Sequence, residues 1–408
     1  MDTIKVLNNK NITDVPYFKA IGVASGIKGN NKSDLCVIYS EKPCIAAGTF
    51  TTNKVKAAPV LLDLKHIESE NIYAIVANSG NANACTGDDG YEKAYLMAEC
   101  TAKHLKIKPE EVLVASTGVI GVPLPIDKVM FGIEKAFSIL PKSDANKAID
   151  AIMTTDTVQK KIFVEFMLDK KKVTICAIAK GSGMIHPNMA TMLSFIVTDA
   201  NITKDLLNKA LKESVKDSYN MISVDRDTST NDMALLLANG ASGNTLISSE
   251  NSDYEVFKKA LHYVNVEISK MIAKDGEGAT KLIEAKVFGA SSSRDAKVAA
   301  KSVITSNLVK AAVFGSDANW GRIICALGYS AAEIDPSKVD ISFSNNDSKV
   351  ETCLKGTGLN FDEEAAKKIL DGDHVIIEVN LNNGKFNATA WGCDLTYDYV
   401  KINGSYRS

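Results

Sequence analysis

No stretch of this sequence approaches about 18 consecutive apolar residues, the run that a membrane-crossing helix needs. Its first residues, Met1-Asp2-Thr3-Ile4-Lys5-Val6, lack the apolar core of a secretory signal. The expectation is a soluble, cytoplasmic protein. An excess of one charge is missing too: 47 basic and 49 acidic residues leave a formal net charge of −2, which argues against a polyanion or nucleic-acid partner. The eight cysteines (Cys36, Cys44, Cys85, Cys100, Cys176, Cys325, Cys353 and Cys393) form no C-x-x-C pair. Most sit in apolar runs such as Leu35-Cys36-Val37 and Ile324-Cys325-Ala326, and so read as reduced core residues. Histidine is scarce; among five, only His186 lies near the middle of the chain, and no Ser-His-Asp order or metal spacing includes it. It reads as structural support for its loop. There is no internal repeat, low-complexity tract or linker-like segment. What is present is ordinary: 45% hydrophobic and 24% charged residues allow a sizeable core. A length of 408 residues suits two or three domains, or one large α/β unit.

The informative stretch is central: Lys180-Gly181-Ser182-Gly183-Met184-Ile185-His186-Pro187-Asn188-Met189-Ala190-Thr191-Met192-Leu193. It joins two apolar, β-rich runs, Lys172–Ala179 and Leu193–Thr198. Two buried strands joined by a loop with glycine and proline need no function. Thr191, however, is a hydroxyl residue at a strand start, preceded by the small Ala190. A threonine hydroxyl becomes a nucleophile when a base takes its proton, and cutting the peptide bond before it frees an α-amine to do so. That amine has a reference pKa of about 7.7–8.

Elsewhere the pattern alternates between strands and helices. Residues 17–60 read as short strands and turns. Within them, Gly22–Gly29 tempts a phosphate-cradle reading, but it lacks G-x-x-x-x-G-K-[ST] and reads as a tight turn. Ile72–Ala77 is a strand running into Asn78-Ser79-Gly80-Asn81-Ala82-Asn83-Ala84-Cys85-Thr86-Gly87, whose small and amide residues favour local hydrogen bonds before a helix at Tyr91–Leu105. Val112–Ala115 is a strand, and Ser116-Thr117-Gly118-Val119-Ile120-Gly121 leaves its end, either as an ordinary turn or as donors for an oxyanion. Helices are expected at Ile126–Leu140 and Ser143–Met153, followed by a hydroxyl-rich break, Thr154-Thr155-Asp156-Thr157, and a strand at Ile162–Leu168. Lys180 could hold a carboxylate where its strand ends. Helices follow at Lys204–Ser218 and Tyr254–Met271. The aspartates of Asp225-Arg226-Asp227 suit a hydrogen-bonded turn better than a metal site. Glu277, between Gly276 and Gly278, is a solvated loop residue or a grip for an ammonium group. Ala296–Phe314 is helical and leads to Gly315–Arg322; Lys338–Ser344 is a strand and Asp362–Leu370 a helix. His374–Leu381 and Lys385–Trp391 are expected to form a hairpin through Asn383-Gly384.

The fourteen-residue central string resembles the self-cleavage site of the ornithine acetyltransferases, the bifunctional glutamate N-acetyltransferases/amino-acid acetyltransferases of arginine biosynthesis. Further segments resemble the same family: those at 22–29 and 46–55, Asn78–Gly87, Ser116–Gly121, Met221–Asp232 and Gly315–Arg322. In one, Arg226 stands where the family usually has glycine; a left-handed backbone there would make the turn costlier. The resemblance implies an α/β (α+β) fold of mixed sheets flanked by helices, like that of the related self-processing aminopeptidases. It implies cleavage between Ala190 and Thr191 into co-folded chains, 1–190 and 191–408, assembled as an α₂β₂ heterotetramer. It makes Thr191 the nucleophile and Thr117-Gly118 the oxyanion hole, and it brings Thr154, Lys180, Thr191, Glu277, Asn403 and Ser408 to the substrate. The implied partners are N-acetylornithine and glutamate, with acetyl-CoA as a second candidate donor and no metal or organic cofactor. A self-processed N-terminal-threonine amidase or aminopeptidase is the alternative.

Overall fold

The computed structural model describes residues 4–29, 31–186, 192–345 and 347–405. The chain divides into two compact units. The first comprises Met1–Gly181, Pro187–Tyr219 and Thr228–Ile268; the second comprises Ser182–His186, Asn220–Asp227 and Ser269–Ser408.

The first unit is built on a mixed sheet containing β1 (Lys5–Val6), β2 (Phe18–Val23), β3 (Leu35–Phe50), β4 (Ile72–Asn81), β5 (Val112–Val119), β6 (Lys160–Leu168), β7 (Lys171–Lys180), β8 (Leu193–Thr198) and β10 (Met233–Ala238). Their order is β1-β6-β7-β8-β10-β3-β4-β5, with β2 also paired to β3. Expected as short strands, residues 17–60 instead contain the 16-residue β3, which is long enough to pair with β2, β4 and β10. Alternate residues of its strands fill both faces. Cys36, Ile38, Ile75 and Ala77 pack with Ala148, Ile149 and Ile152 of α4 (Ala145–Ile152). Val37, Ala74, Val76 and Val114 pack with Met97 and Ala98 of α2 (Gly87–Leu105) and Val129 and Ile133 of α3 (Ile126–Ile139). That is why these strands read as near-continuous apolar runs rather than as half-polar ones. Helices α1 (Ala58–His66), α5 (Lys204–Lys216) and α6 (Ser252–Lys274), the last up to Ile268, complete the unit.

The second unit has a seven-stranded sheet of β9 (Ile222–Ser223), β11 (Leu282–Ala290), β12 (Asp340–Ser344), β13 (Lys349–Leu354), β14 (Thr357–Gly358), β15 (His374–Asn380) and β16 (Phe386–Cys393). The expected hairpin is absent. Strand β11 lies between β15 and β16, parallel to the first and antiparallel to the second. The Asn383-Gly384 turn wraps the end of β11, with the Asn383 amide on the Gly289 carbonyl at 2.8 Å. The stretch expected as one helix at Ala296–Phe314 is two, α7 (Ser293–Thr305) and α8 (Asn307–Phe314). Ser306 ends the first, and its hydroxyl caps the second by accepting from the Val309 amide. Then come α9 (Trp320–Gly328), α10 (Glu363–Leu370) and α11 (Tyr397–Gly404).

Candidate active site

In the first unit, Thr117 and Gly118 do not leave β5 but lie within it, just before its last residue Val119, in parallel register with Ser79 and Gly80 of β4. Gly118 has φ +136°, and a Cβ there would lie 2.4 Å from the Gly80 carbonyl carbon, so only glycine fits. Strand β5 is the sheet edge, and side chains cover its outward backbone groups in succession. The His66 ring lies with Nδ1 2.8 Å from the Val112 carbonyl, Asp63 accepts from the Val114 amide at 2.9 Å, and Asn231 donates to the Ser116 carbonyl at 2.8 Å. The Asn231 amide also donates to the Ala82 carbonyl at 2.5 Å, tying the residue after β4 to β5 one residue before Thr117. The expected local bonding appears where the Asn83 amide donates to Asn81 Oδ1 at 2.8 Å, whereas Ser116 Oγ donates to Asn78 Oδ1 at 2.6 Å across β5 and β4.

Lys180, buried at the end of β7, donates to Thr117 Oγ1 at 3.4 Å. Its neighbour Asp156 organises the region. Asp156 Oδ1 accepts from Lys160 Nζ and from the Gly181 amide, each at 2.7 Å, and Oδ2 accepts from the Thr154 amide at 3.0 Å. Burial pushes its carboxyl upward, but Lys180 and Lys160 outweigh it and hold the group at about 2. The hydroxyl-rich break at Thr154–Thr157 is thus a charge-anchored turn, and Asp156 is a residue that sequence reading left without a role. The glycine-rich turn at residues 24–29 is a true backbone nest, but its anion is internal. Asp34 accepts from the amides of Ser25, Gly26 and Lys28 at 2.6, 3.1 and 2.9 Å. The tight-turn reading stands, and the carboxylate six residues beyond Lys28 was the signal for it.

In the second unit, Glu277 is buried rather than solvated. Its Oε2 accepts from Asn403 Nδ2 at 2.8 Å, and a Cβ on Gly183 would fall 2.2 Å from its carboxyl carbon. The glycine at 183 therefore makes room for that carboxylate. Asn403 sits on α11. Asp225 accepts from the Met184, Ile185 and Asp227 amides at 2.7, 2.9 and 3.2 Å, as a hydrogen-bonded turn does. Arg226 beside it has φ +72°, the left-handed conformation for which the usual glycine is suited. His186 rests on Ser223 Oγ at 3.0 Å, and burial, with Lys301 and Arg226, lowers it to about 4, so it is neutral at pH 7. The Gly315–Arg322 segment is structural: Asn319 caps α9, and Ser316 bonds Asp371 at 2.6 Å. Cys36, Cys44, Cys176, Cys353 and Cys393 are buried, but Cys325 is exposed, because its side of α9 faces outward. Ala190, Thr191 and Ser408 lie outside the described residues. Among the described residues, no three His, Cys, Asp or Glu side chains are grouped to hold a metal, and no helix is long and apolar enough to cross a membrane.

Residues 19–408 match the model of the ArgJ family. The chain belongs to the ArgJ family. It is 54% identical over 391 residues to the arginine biosynthesis bifunctional protein ArgJ of Caldanaerobacter subterraneus, covering 96% of this chain and 97% of that one. It is 52% identical over 393 residues to the ArgJ protein of the same name from Thermotoga neapolitana, covering 96% and 98%. A crystal structure of arginine biosynthesis bifunctional protein ArgJ from Bacillus halodurans aligns with 46% identity and a TM-score of 0.50, covering 53% of this chain and 100% of that chain. The likeness to ArgJ proteins therefore runs through almost all of the chain and well beyond the central string. The mixed α/β architecture expected for the family is the one observed.

Proposed function

We propose that this ArgJ protein moves the acetyl group of N-acetyl-L-ornithine to L-glutamate in arginine biosynthesis, through an acetyl ester on Thr191. Acetyl-CoA is assigned as a second donor, in keeping with the word bifunctional in its relatives' names. Thr191 first attacks the carbonyl of Ala190; water opens the resulting ester and leaves Thr191 with a free α-amine. The amine then takes the hydroxyl proton as Thr191 attacks the acetamide carbon of the donor. The oxyanion forms against Thr117 and Gly118, the C–N bond breaks, and the proton leaves with ornithine. The glutamate amine next attacks the acetyl-threonine, and N-acetylglutamate departs.

The observation that carries this reading is the 3.4 Å bond from Lys180 to Thr117 Oγ1, beside a glycine-locked strand end. Because the threonine oxygen accepts from the ammonium, its own proton remains available for an oxyanion. Strand alternation turns the Gly118 amide to the same outward side as the covered groups of residues 112, 114 and 116. A hydroxyl and an adjacent backbone amide are donors of the kind a tetrahedral intermediate needs. We assign Lys180 and Thr154 to the substrate, with Glu277 and Asn403 for its ammonium group and Ser408 as a further contact. Strands β7 and β8 pair antiparallel, Lys180 opposite Leu193, so chains 1–190 and 191–408 would share one sheet after the cut. We propose the α₂β₂ assembly for them.

A denaturing gel tests the processing step. Dividing 43.8 kDa in proportion to 190 and 218 of 408 residues gives bands of about 20 and 23 kDa. Thr191→Ala should stay whole and inactive. With N-acetylornithine alone, wild-type protein should accumulate an acetylated 191–408 chain and release little acetate; rapid acetate release without glutamate would make it a hydrolase instead.

A further inference from the structure

Lys28 lies in the first unit, beside Gly80 and the residue before Thr154. Its stem crosses Gly80: a Cβ built there would lie 3.2 Å from Lys28 Cγ. Gly80 is the register partner of Gly118. At its other end, the ammonium donates to the Met153 carbonyl at 2.5 Å, one residue before Thr154, and to the Ser33 carbonyl at 3.2 Å. Lys28 thus spans from the proposed oxyanion strands to the proposed substrate segment.

The carboxylates nearby are committed elsewhere. Asp34 spends its oxygens on three backbone amides, and Asp156 on Lys160 and two amides. Lys28 feels both, together with the repulsion of Lys180 and Lys32, but its two hydrogen-bond acceptors are neutral carbonyls. An ammonium has three hydrogens, so one is left to offer. Burial, more than the neighbouring lysines, lowers this group to about 8, as befits a cation short of a counter-ion.

We propose that Lys28 is a specificity residue whose ammonium receives the side-chain carboxylate of the acceptor amino acid. This rests on the acetyl-transfer reading. Donor and acceptor share an α-carboxylate and differ at the far end, where ornithine carries an ammonium and glutamate a carboxylate. A half-buried cation with a spare hydrogen attracts the second and gives nothing to the first. A lysine that only capped the α4 carbonyl would serve both substrates alike.

The test compares K28Q, which keeps a donor for the Met153 carbonyl, with K28M and K28R. Two quantities are read: acetyl loading from N-acetylornithine without acceptor, by mass of the 191–408 chain, and kcat/KM for L-glutamate against L-glutamine. K28Q and K28M should lower the glutamate-to-glutamine preference about tenfold or more through the glutamate KM, as expected for loss of a charged hydrogen bond. Loading should fall far less, and K28R should recover most of the preference. Equal losses in loading and transfer, or an unchanged preference, would overturn the proposal. Should K28M fail to fold, K28Q against K28R decides the matter alone. Absence of loading in wild-type protein would instead sink the acetyl-transfer reading.

Discussion

Two glycine-bearing backbone stretches of the first unit differ in what surrounds their outward groups. At residues 25–28 the amides close on Asp34, a carboxylate that the chain supplies itself and buries completely. At the end of β5, side chains cover the outward groups of residues 112, 114 and 116 and then stop before Gly118. Glycine-rich sequence marks both places. Their difference lies in whether the anion comes from within. A nest already filled is a structural turn; at the end of β5 the row of covered groups stops at a glycine whose φ other residues avoid, which is where the proposed oxyanion donor lies.

The sharpest way to break this contrast is Gly118→Ala. The new methyl would meet Gly80 and Asn81 backbone atoms at 2.4 and 2.5 Å, at a φ that side chains avoid. The strand end must shift, and the Gly118 amide with it. We expect kcat to fall by roughly 10²–10³, the size typical of one lost oxyanion donor, with the remaining protein still giving the wild-type circular dichroism spectrum. A variant with unchanged kcat would remove Gly118 from the chemistry.

Asn231→Ala is the next largest. It strips the cover from the Ser116 carbonyl and unties it from Ala82, leaving two buried carbonyls without their donor. The cost should be about 1–3 kcal/mol in urea unfolding. If the clamp also aims Thr117, kcat should drop while the KM for N-acetylornithine stays within about twofold, a split that mere loss of stability does not produce. Equal movement of both would make Asn231 structural only.

Local signals made most of the fold legible. Apolar runs found β4, β5, β7 and β8, and helical periodicity found α2, α3, α5 and α6. What escaped was set by distant partners. Asn383-Gly384 has the chemistry of a hairpin, but β11, about a hundred residues earlier, occupies the place between its strands. Glu277 reads as a solvated loop glutamate because the glycine that admits it and the asparagine that binds it are Gly183 and Asn403. Asn231 stood inside a recognised segment, yet its two carbonyl partners are 149 and 115 residues away. The chemistry was legible only through the resemblance, since Thr117, Lys180 and Glu277 are individually commonplace.

Asp156 in the first unit and Asp225 in the second extend the comparison, and acid separates them. Each accepts backbone amides, Asp156 from Gly181 and Thr154, Asp225 from Met184 and Ile185. Asp156 also has lysines, which hold it down at about 2 against burial, whereas burial raises Asp225 in spite of the amides that it accepts. The signs therefore oppose. A depressed carboxylate contributes stability that is complete above its unfolded value, about 3.9, and fades as pH falls through the folded value near 2. A raised one favours the folded state as pH falls toward that unfolded value. Asp156→Asn should thus be less stable than wild type at pH 7, with the gap narrowing between about pH 4 and pH 2. Asp225→Asn, which removes a charge that burial disfavours, should cost less at pH 7 and show no gap that closes in that range. Urea unfolding at a series of pH values measures both; parallel curves for Asp156→Asn and wild type would show that the lysines do not hold Asp156 charged.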